Sequence, residues 1–478
     1  MDWLVDDVSK LEYDVTNPAS IEAYAQKMIG KTFKEVTGVD KVSSGGNRGG
    51  LGQLIETNYF HYGLNGESRA DFEEAGVEVK TTVYKQNKNG TFSAKERLSL
   101  TLINYMKVIY EKDFYTSSLW KKSKCMLIVY YLFNKDIHNT MDYKIKYATL
   151  FTPPEQDVLI IKKDYDIILD KINQGLAHTL SESQTLYLGA APKGKNKNDV
   201  RQQPFNEKPA MRRGFALKMS YMTYVLNNYI IPGRKTYTSD KQIIKGKAVE
   251  SFEDYVTGKV GEYHGWSIEE LCQKFGIKLK YNKDGKIIIP KNLCSMIICR
   301  ILDIKGKNAK KADEFEKAGI EIKTVRIEKT GNIVQSMSFP AFKFKELIKE
   351  DTWEDSKFGN YLRDHRLLLI VFKFDENDVL RLQGCQFWSI PYEDLEVEVR
   401  SVWEKTKKVL IDGLQFEKVK GKYTNNLPGM ADNKVSHVRP HGRDSKDVDE
   451  LPDGRMYPKQ CFWLNSKYVK SQLRDDLK

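Results

Sequence analysis

The chain lacks the patterns that would place it in several large protein classes. Its 478 residues include six cysteines and seven histidines, but no CxxC motif. No Cys/His set has the spacing of a zinc site. We therefore expect reduced, buried cysteines, as in a cytoplasmic protein, and assign no role to any histidine.

Long apolar segments and nucleotide-binding motifs are also missing. The longest strongly apolar run, 126–133, is far shorter than the roughly 20 residues that a membrane-spanning helix needs. The N-terminal segment MDWLVDDVSK is acidic and has no signal-peptide core. No GxxxxGK[ST] motif occurs, which argues against nucleotide hydrolysis. We expect a soluble, cytoplasmic protein with no membrane association and no nucleotide cofactor.

The charge balance favours cations. Lysine and arginine total 77 against 65 acidic residues, giving a net charge of +12 and a pI of about 9.0. Such a surplus is typical of proteins with a polyanionic partner, most often nucleic acid. A solvated, lysine-rich surface explains the same surplus, and charge alone does not decide between the two.

The most informative feature is an internal repeat. The segment ADFEEAGVEVKTT at 70–82 is matched by ADEFEKAGIEIKTV at 312–325. Four further pairs of segments match in the same order, each separated by roughly 240 residues, far above the period of a solenoid. This pattern indicates a duplicated domain. We place the first domain at 1–230, a linker at 231–245 and the second domain at 246–478.

Apolar periodicity predicts an α/β class, with a mixed β-sheet flanked by helices in each domain. The glycine-rich segment 44–52 is expected to be a loop. The expected helices of the first domain include 21–33 and 51–60, and the expected strands include 77–83, 98–103 and 126–133.

Acidic and basic residues around the first copy of the repeat suggest a phosphodiester-hydrolysing site. Glu78 and Lys80 are two apart on a strand and therefore lie on one face. Asp71 precedes a turn at Gly76 and can fold back beside Glu78, while Glu56 ends the preceding helix. Carboxylates bind Mg²⁺, and a lysine can orient water or offset negative charge.

This pattern alone is weak, because exposed Glu and Lys on an edge strand would explain it equally well. The second copy provides a contrast. It keeps Glu321 and Lys323, has Glu314 in place of Asp71, and has an apolar Ile298 or Cys299 in place of Glu56. We expect the second copy to keep the fold and lose the metal site. The alternative is that both copies are inert.

The residues resemble the MutH family, which includes a methyl-directed mismatch-repair nicking enzyme and Sau-type restriction endonucleases. The resemblance implies tandem restriction-endonuclease-like domains and a type II restriction endonuclease that cuts double-stranded DNA at GATC, 5′ of G, with Mg²⁺. It implies a catalytic set of Glu56, Asp71, Glu78 and Lys80, with Asp71 and Glu78 as metal ligands. The matching segments are GGLGQLIE (49–56), ADFEEAGVEVKTT (70–82), YLGAAPKGKN (187–196) and RRGFALKMSY (212–221).

The resemblance also implies DNA-contacting residues in the first domain. Pro192 and Lys193 would lie in a base-reading loop, and Lys124 would add a lysine to the active site, with Arg366 as its counterpart in the second copy. The full expected set is Lys124, Pro192, Lys193, Arg213 and Lys218.

The second domain has two interpretations. Its basic loop, with Arg439, His441 and Arg443, favours an effector that binds a second DNA duplex. The alternative is a structural or dimerisation module. For the whole protein we expect a monomer in solution, with dimerisation on DNA as an open alternative. The competing functions are a non-catalytic DNA-binding scaffold and a methyl-directed nicking endonuclease of mismatch repair.

Two positions depart from the family pattern and generate a prediction about methylation. Ala191 stands where the repair enzyme has an arginine, and Ala216 stands where it has a tyrosine that senses adenine methylation. Without that ring, GATC cutting should tolerate adenine methylation. Digestion of fully methylated and unmethylated plasmid in parallel tests this, and strong protection of the methylated plasmid would contradict it.

Overall fold

The protein is described here from a computed structural model. It describes residues 8–42, 50–63, 69–194, 199–237, 239, 241–244, 249, 251–283, 285, 287–290, 292–304, 309–333, 335–354, 356–419, 422–442, 444 and 446–478. Most of the expected glycine-rich loop and Arg443 lie outside these residues. The chain divides into two compact units, here called unit 1 (Met1–Ser239 with Glu316–Ala318) and unit 2 (Asp240–Phe315 with Gly319–Lys478).

Polar caps and glycines set the helices of the first half. Asn17 caps α1, whose first residue is a proline, and Thr32 forms a capping box with Glu35 at the start of α2. The expected helix 21–33 is therefore two helices, because Gly30 adopts a positive φ of 87° between them. The helices are α1 (Pro18–Gln26), α2 (Phe33–Thr37), α3 (Gly50–Leu54), α4 (Tyr105–Val108), α5 (Ser118–Ser123), α6 (Glu155–Asn173) and α7 (Met219–Val225).

Two sheets and a hairpin form from nine strands. Their ranges are β1 (Glu78–Gln86), β2 (Phe92–Ala94), β3 (Leu98–Leu102), β4 (Met126–Leu132), β5 (Ile145–Phe151), β6 (Leu188–Pro192), β7 (Val200–Gln203), β8 (Asn206–Met211) and β9 (Arg213–Leu217). The first sheet is mixed, in the order β2-β1-β4-β5, with β1 and β4 parallel. The second is antiparallel, in the order β3-β9-β6, and β7 pairs with β8.

The core beside the first sheet explains why β1 and β4 lie centrally. Val77 and Val79 are buried on one side of β1, and Leu127 and Val129 of β4 join them. Ile21 of α1 packs into the same cluster. This apolar face anchors β1, so that its other face is free to carry polar side chains.

The second half contains eight more helices and twelve more strands among the described residues. The helices are α8 (Phe252–Gly261), α9 (Ile268–Lys274), α10 (Leu293–Ile301), α11 (Asp313–Ala318), α12 (Phe344–Leu347), α13 (Lys357–Asp364), α14 (Arg400–Asp412) and α15 (Ser466–Gln472). The strands are β10 (Lys280–Tyr281), β11 (Ile287–Ile288), β12 (Ile320–Ile327), β13 (Met337–Ala341), β14 (Arg366–Phe374), β15 (Leu380–Trp388), β16 (Phe416–Val419), β17 (Lys422–Asn425), β18 (Ser436–Pro440), β19 (Val448–Glu450), β20 (Met456–Pro458) and β21 (Gln460–Leu464).

The strand connections of unit 2 match those of unit 1. The order β12-β14-β15 has the same directions as β1-β4-β5, parallel and then antiparallel. The antiparallel sheet β13-β21-β18 has the order of β3-β9-β6, and the hairpin β19-β20 matches β7-β8. Each half thus has separate mixed and antiparallel sheets, where the sequence analysis expected one mixed sheet.

The strand register corrects one expected equivalence. Glu78 lies opposite Met126 in unit 1, whereas Glu321 lies opposite Leu367 in unit 2. Arg366, directly before Leu367, therefore corresponds to Cys125 and is not the counterpart of Lys124. A one-residue error arose because both strands are continuous apolar runs that align equally well in neighbouring registers.

None of the helices in the described part of the chain combines the length and apolar character needed to cross a lipid bilayer. The longest helix of unit 1, α6, carries buried Asp157 and Asp164 as well as charged residues along its length.

Candidate active site

Asp71 and Glu78 meet at the start of β1. Phe72 and Val77 pair through their backbones around a turn in which Gly76 has a positive φ of 64°. This turn carries Asp71 back along β1, and its Oδ2 accepts the N–H of Val79 at 2.9 Å. Asp71 and Glu78 are 8% and 2% exposed, so both carboxylates are buried.

Glu56 joins these carboxylates from a π-helical turn. The expected helix 51–60 is α-helical only over Gly50–Leu54 and continues as a π-helix over Ile55–Tyr59. The N–H of Tyr62 donates to the Glu56 carbonyl at 2.8 Å and closes this segment. Burial, together with the charges of Asp71 and Glu78, raises the pKa of Glu56 to about 8. Such π-turns often occur at functional sites.

Two lysines neutralise part of this negative charge. Lys80 Nζ lies 2.6 Å from Glu78 Oε1, and Lys122 Nζ lies 3.4 Å from the same oxygen. Their side chains are 17% and 12% exposed. Burial opposes the charge of Lys80, but Glu78 and Asp71 outweigh it and raise the pKa of Lys80. Lys80 is therefore a protonated ammonium near neutral pH.

The carboxylates still carry uncompensated negative charge. Burial and the charge of Glu78 raise the pKa of Asp71 to about 6. Glu78 Oε2 is buried and has no hydrogen-bond partner among the described residues. An orphaned carboxylate oxygen beside two further carboxylates fits a hard divalent cation such as Mg²⁺.

The carboxylates form an open metal site, in which protein side chains supply only some of the ligands. No three His, Cys, Asp or Glu side chains in the described ranges form a preformed metal cage. Mg²⁺ commonly binds through one or two carboxylates and completes its shell with water and substrate phosphate. Asp71 and Glu78 are suited to that mode.

The lysine of α5 that reaches the carboxylates is Lys122, and the expected Lys124 is displaced from them. Lys124 caps the C-terminus of α5 and lies against the turn at Gly76, where an added Cβ would meet its Cε at 2.9 Å. The run KKSK contains three lysines, of which the sequence analysis named only Lys124, and helical phase determines which of them reaches the carboxylates. Because α5 ends at Ser123, the chain turns into β4 at Lys124, and only Lys122 reaches Glu78.

The expected DNA-contacting residues divide into accessible and buried groups. Pro192 ends β6, and Lys193 follows it with an exposed side chain. Arg213 is 3% exposed and donates to the Ala190 carbonyl at 2.7 Å. Lys218 is 2% exposed and donates to the Thr185 carbonyl. Arg213 and Lys218 thus support the strands internally, and the DNA contact expected for them stays a prediction.

Burial also explains two family positions. Ala191 and Ala216 are 0% and 1% exposed, so neither side chain can contact a ligand in this structure.

Tyr62, close to Asp71, is a residue that the sequence analysis missed. It is 2% exposed, and burial and the nearby Asp71 charge raise its pKa to about 12. Only the fold reveals it, since it lies outside the acidic motif.

In unit 2 the corresponding carboxylates are already occupied by the protein itself. Glu314 accepts the backbone N–H groups of Ile243 and Ile244. Glu321 accepts the ammonium of Lys310. Lys323 donates to the Ser338 carbonyl at 2.8 Å instead of binding Glu321.

The position of Glu56 is apolar in unit 2. Ile298 and Cys299, the two candidates from the sequence, are 1% and 0% exposed within α10. No carboxylate is supplied from this helix, whichever of the two alignments is used.

The expected effector residues surround one tryptophan. Arg439 Cζ lies 5.2 Å from the centre of the Trp463 ring, and His441 contacts that ring edge-on with centroids 5.3 Å apart. Arg439 and His441 are exposed, whereas Trp463 is 5% exposed. Trp463 pairs with His437 in the sheet and corresponds in register to Ala216.

These features define a class first: an α/β protein with a carboxylate–lysine cluster of the kind that metal-dependent nucleases use. The family model that matches the chain is "DNA mismatch repair enzyme MutH", over residues 60–164. That range contains Asp71, Glu78, Lys80 and Lys122.

A second similarity extends over nearly the whole chain. The chain is 36% identical over 492 aligned residues to the type II restriction enzyme Sau3AI of Staphylococcus aureus, covering 94% of this chain and 97% of that enzyme. The chain therefore belongs to the MutH-like, Sau3AI-type family of restriction endonucleases.

The crowding of carboxylates predicts that the site destabilises the metal-free protein. The pKa of Glu56 rises from 4.5 to about 8, so the stability contributed by its bound proton is lost as the pH rises through this window. Glu56→Gln mimics the protonated form and should stabilise the metal-free protein at pH 8 by roughly 1–2 kcal/mol, with little gain at pH 5. Thermal denaturation in EDTA measures this.

The control is Glu73→Gln, which changes a neighbouring exposed carboxylate that pairs with Arg69. It should leave the melting temperature nearly unchanged at both pH values. Identical melting curves for Glu56→Gln and the parent protein at pH 8 would contradict the proposed repulsion. Added Mg²⁺ should narrow the difference by stabilising the parent protein.

Proposed function

We propose that this chain is a type II restriction endonuclease that hydrolyses double-stranded DNA at GATC, on the 5′ side of G, with Mg²⁺. Its active site is the cluster of Glu56, Asp71, Glu78 and Lys80 in unit 1, extended by Lys122. The family membership supports a nuclease. The proposed GATC target rests on the resemblance of the motifs. The proposed Mg²⁺ dependence rests on the chemistry of the site.

The observation that carries the proposal is the buried Glu78 carboxylate. One oxygen binds two lysines, and the other has no partner among the described residues. A structural ion pair would satisfy both oxygens, because an unpaired buried acceptor costs about 1–3 kcal/mol. The exposed edge-strand explanation of Glu78 and Lys80 fails, since both side chains are largely buried.

Each residue has a distinct task in hydrolysis. Asp71 and Glu78 would hold the cation, with Asp71 oriented by the Val79 N–H. A cation there would supply positive charge against the anionic transition state. Lys80, as a protonated ammonium, orients the attacking water and offsets charge at the phosphate. Lys122 keeps Glu78 oriented, and Glu56 provides a third carboxylate beside them.

Unit 2 is proposed to be a duplicated nuclease domain that has lost catalysis. The shared strand order of the two halves and the collinear repeat support duplication. Loss of catalysis is supported by Lys310, which places a permanent cation on Glu321, and by Glu314, which is held by backbone amides. With Glu314 held by backbone amides and an apolar residue at the position of Glu56, Glu321 and its ammonium partner leave, among the described residues of this site, no cluster of carboxylates that would attract a metal ion.

The proposed role of unit 2 is that of an allosteric effector that binds a second GATC duplex. Arg439 and His441 are exposed at the end of β18 and contact Trp463, so both side chains lie at the surface. A structural or dimerisation module would have no need for two cation-forming groups displayed on one aromatic ring. The residues Arg439, His441 and Arg443 would form this second site.

Mutations in the two copies should have opposite outcomes. Asp71→Ala, Glu78→Ala and Lys80→Ala should each reduce cleavage by about a hundredfold or more while DNA binding persists, because they remove the metal or the water-orienting group. Glu321→Ala and Lys323→Ala are the matched controls in unit 2 and should stay within a few-fold of the parent. Plasmid cleavage with Mg²⁺ and end-sequencing of the products measure both.

The same assay separates Lys122 from its neighbours. Lys122→Ala should lose most activity, and Lys121→Ala, which changes an exposed lysine of the same helix, should not. A Glu321→Ala protein as inactive as Glu78→Ala would refute the assignment of one active copy. Intact binding with no cleavage by the parent protein would favour the non-catalytic scaffold.

The effector role predicts stimulation in trans. Occupation of unit 2 should favour the active arrangement of unit 1 by a coupling of about 1–3 kcal/mol, or roughly 5- to 150-fold. A single-site plasmid should therefore be cut faster when a GATC oligonucleotide is added. The Arg439→Ala, Arg443→Ala double variant should lose this stimulation and keep basal cleavage.

Arg455→Ala is the charge-matched control, because Arg455 is an exposed arginine of unit 2 that is engaged by Asp453. Equal rates per site on one-site and many-site plasmids, at all enzyme concentrations, would rule out the effector. The structural-module alternative predicts no stimulation and loss of solubility on truncation after Ile230.

A further inference from the structure

One buried ion pair of unit 1 has no part in the function proposed above. Glu182 opens a short 3-10 turn, and its side chain is only 4% exposed. Its carboxylate binds the guanidinium of Arg97, which directly precedes β3 and remains 39% exposed. Burying a carboxylate costs free energy unless a partner compensates it. The pair therefore fixes an arginine head at the surface.

The antiparallel sheet is shaped to accommodate this pair. Ser99 of β3 and Gly189 of β6 both pair with Ala216 of β9, so three small residues form one row across the sheet. Glu182 packs on Gly189, where an added Cβ would lie 3.2 Å from its Cγ. Arg97 lies two residues before Ser99, at the opposite end of the row from Gly189, and binds the Glu182 carboxylate from there.

Unit 2 fills the corresponding row differently. Ser338, Trp463 and His437 form it, and Arg439 supplies the guanidinium from the strand itself. Arg439 corresponds in register to Ala191, which is buried in unit 1. Each unit thus displays one arginine beside this sheet, but from a different element of the chain.

Arg97 also begins a line of cations that leads to the active site. Lys193 donates from Nζ to Ser99 Oγ. Although the Lys193 side chain as a whole is exposed, partial desolvation of its ammonium group against Ser99, together with the charges of Arg97 and Lys80, lowers the pKa of Lys193. Lys80 in turn binds Glu78. Arg97 and Lys80 are each paired with a carboxylate, and Lys193 adds a cation near both, so a phosphate backbone lying along this line would meet one guanidinium and two ammonium groups.

We infer that Arg97 is a DNA-contacting residue of unit 1, and that Glu182 is the positioning residue that holds its guanidinium towards the duplex. The inference rests on the proposed nuclease function. A guanidinium fork fits two kinds of acceptor in DNA, the phosphate oxygens and the O6/N7 edge of guanine. In this role Arg97 supplies the contact that the buried Ala191 cannot make.

The test is steady-state cleavage by the full chain of a short duplex with one GATC site. Arg97→Lys keeps a cation for Glu182 but loses the fork, so it should fold. Arg97→Met combined with Glu182→Gln removes both charges and avoids a buried, unpaired carboxylate. Both should lower kcat/KM roughly 5- to 100-fold while the Mg²⁺ concentration for half-maximal rate stays unchanged.

The control is Lys162→Ala, which breaks another ion pair of unit 1, with Asp166, and should cut like the parent. Two further measurements distinguish the acceptors. If Arg97 contacts a base, its variants should lose a larger factor in kcat/KM on GATC than on duplexes with one altered base pair. A phosphate contact predicts the same loss on every sequence and a salt slope lower by about 1.

The position of Glu182 is tested separately by Glu182→Gln. It should reduce kcat/KM in the same direction as Arg97→Lys, again without moving the Mg²⁺ midpoint. If folded Arg97→Lys and the double variant both match Lys162→Ala in kcat/KM, the inference is wrong. A parent protein that cuts no DNA with Mg²⁺ refutes the nuclease function itself, which is a different outcome.

Discussion

The unsatisfied Glu78 carboxylate is the constraint around which unit 1 is organised. Its burial requires Lys80 on the same strand and Lys122 from the end of a helix, since one cation leaves too much negative charge beside Asp71 and Glu56. The apolar face of β1 anchors this cluster to the core. Stability is given up at this place, because buried carboxylates repel until a cation binds.

The two units show how the same strand arrangement can hold opposite electrostatic solutions. Unit 1 leaves a carboxylate oxygen free among the described residues, whereas in unit 2 Lys310 sits on Glu321 and backbone amides hold Glu314. Backbone topology therefore does not set the charge balance at these carboxylates. The difference is made by single side chains, Lys122 at Glu78 and Lys310 at Glu321, which come from elements outside β1 and β12.

The antiparallel sheets differ in a related way. Small residues at Ala216 and Gly189 leave room for an ion pair in unit 1, whereas Trp463 fills the same row in unit 2 and supports Arg439. An exposed arginine thus lies beside this sheet in both units, but it comes from a different part of the chain in each. Two units with the same strand arrangement can therefore carry different side chains on their surfaces.

The sequence by itself indicated the α/β class, the resemblance to the family, and the grouping of Glu56, Asp71, Glu78 and Lys80, because strand alternation, a glycine turn and short motifs are local and can be read along the chain. Three features were decided only by the tertiary structure. Lys122 and not Lys124 contacts Glu78, Arg213 and Lys218 are buried, and each half contains two separate sheets. The sequence does not show whether a charged side chain is exposed to solvent or bonded to a buried carbonyl group. That environment depends on where elements distant in the sequence begin and end.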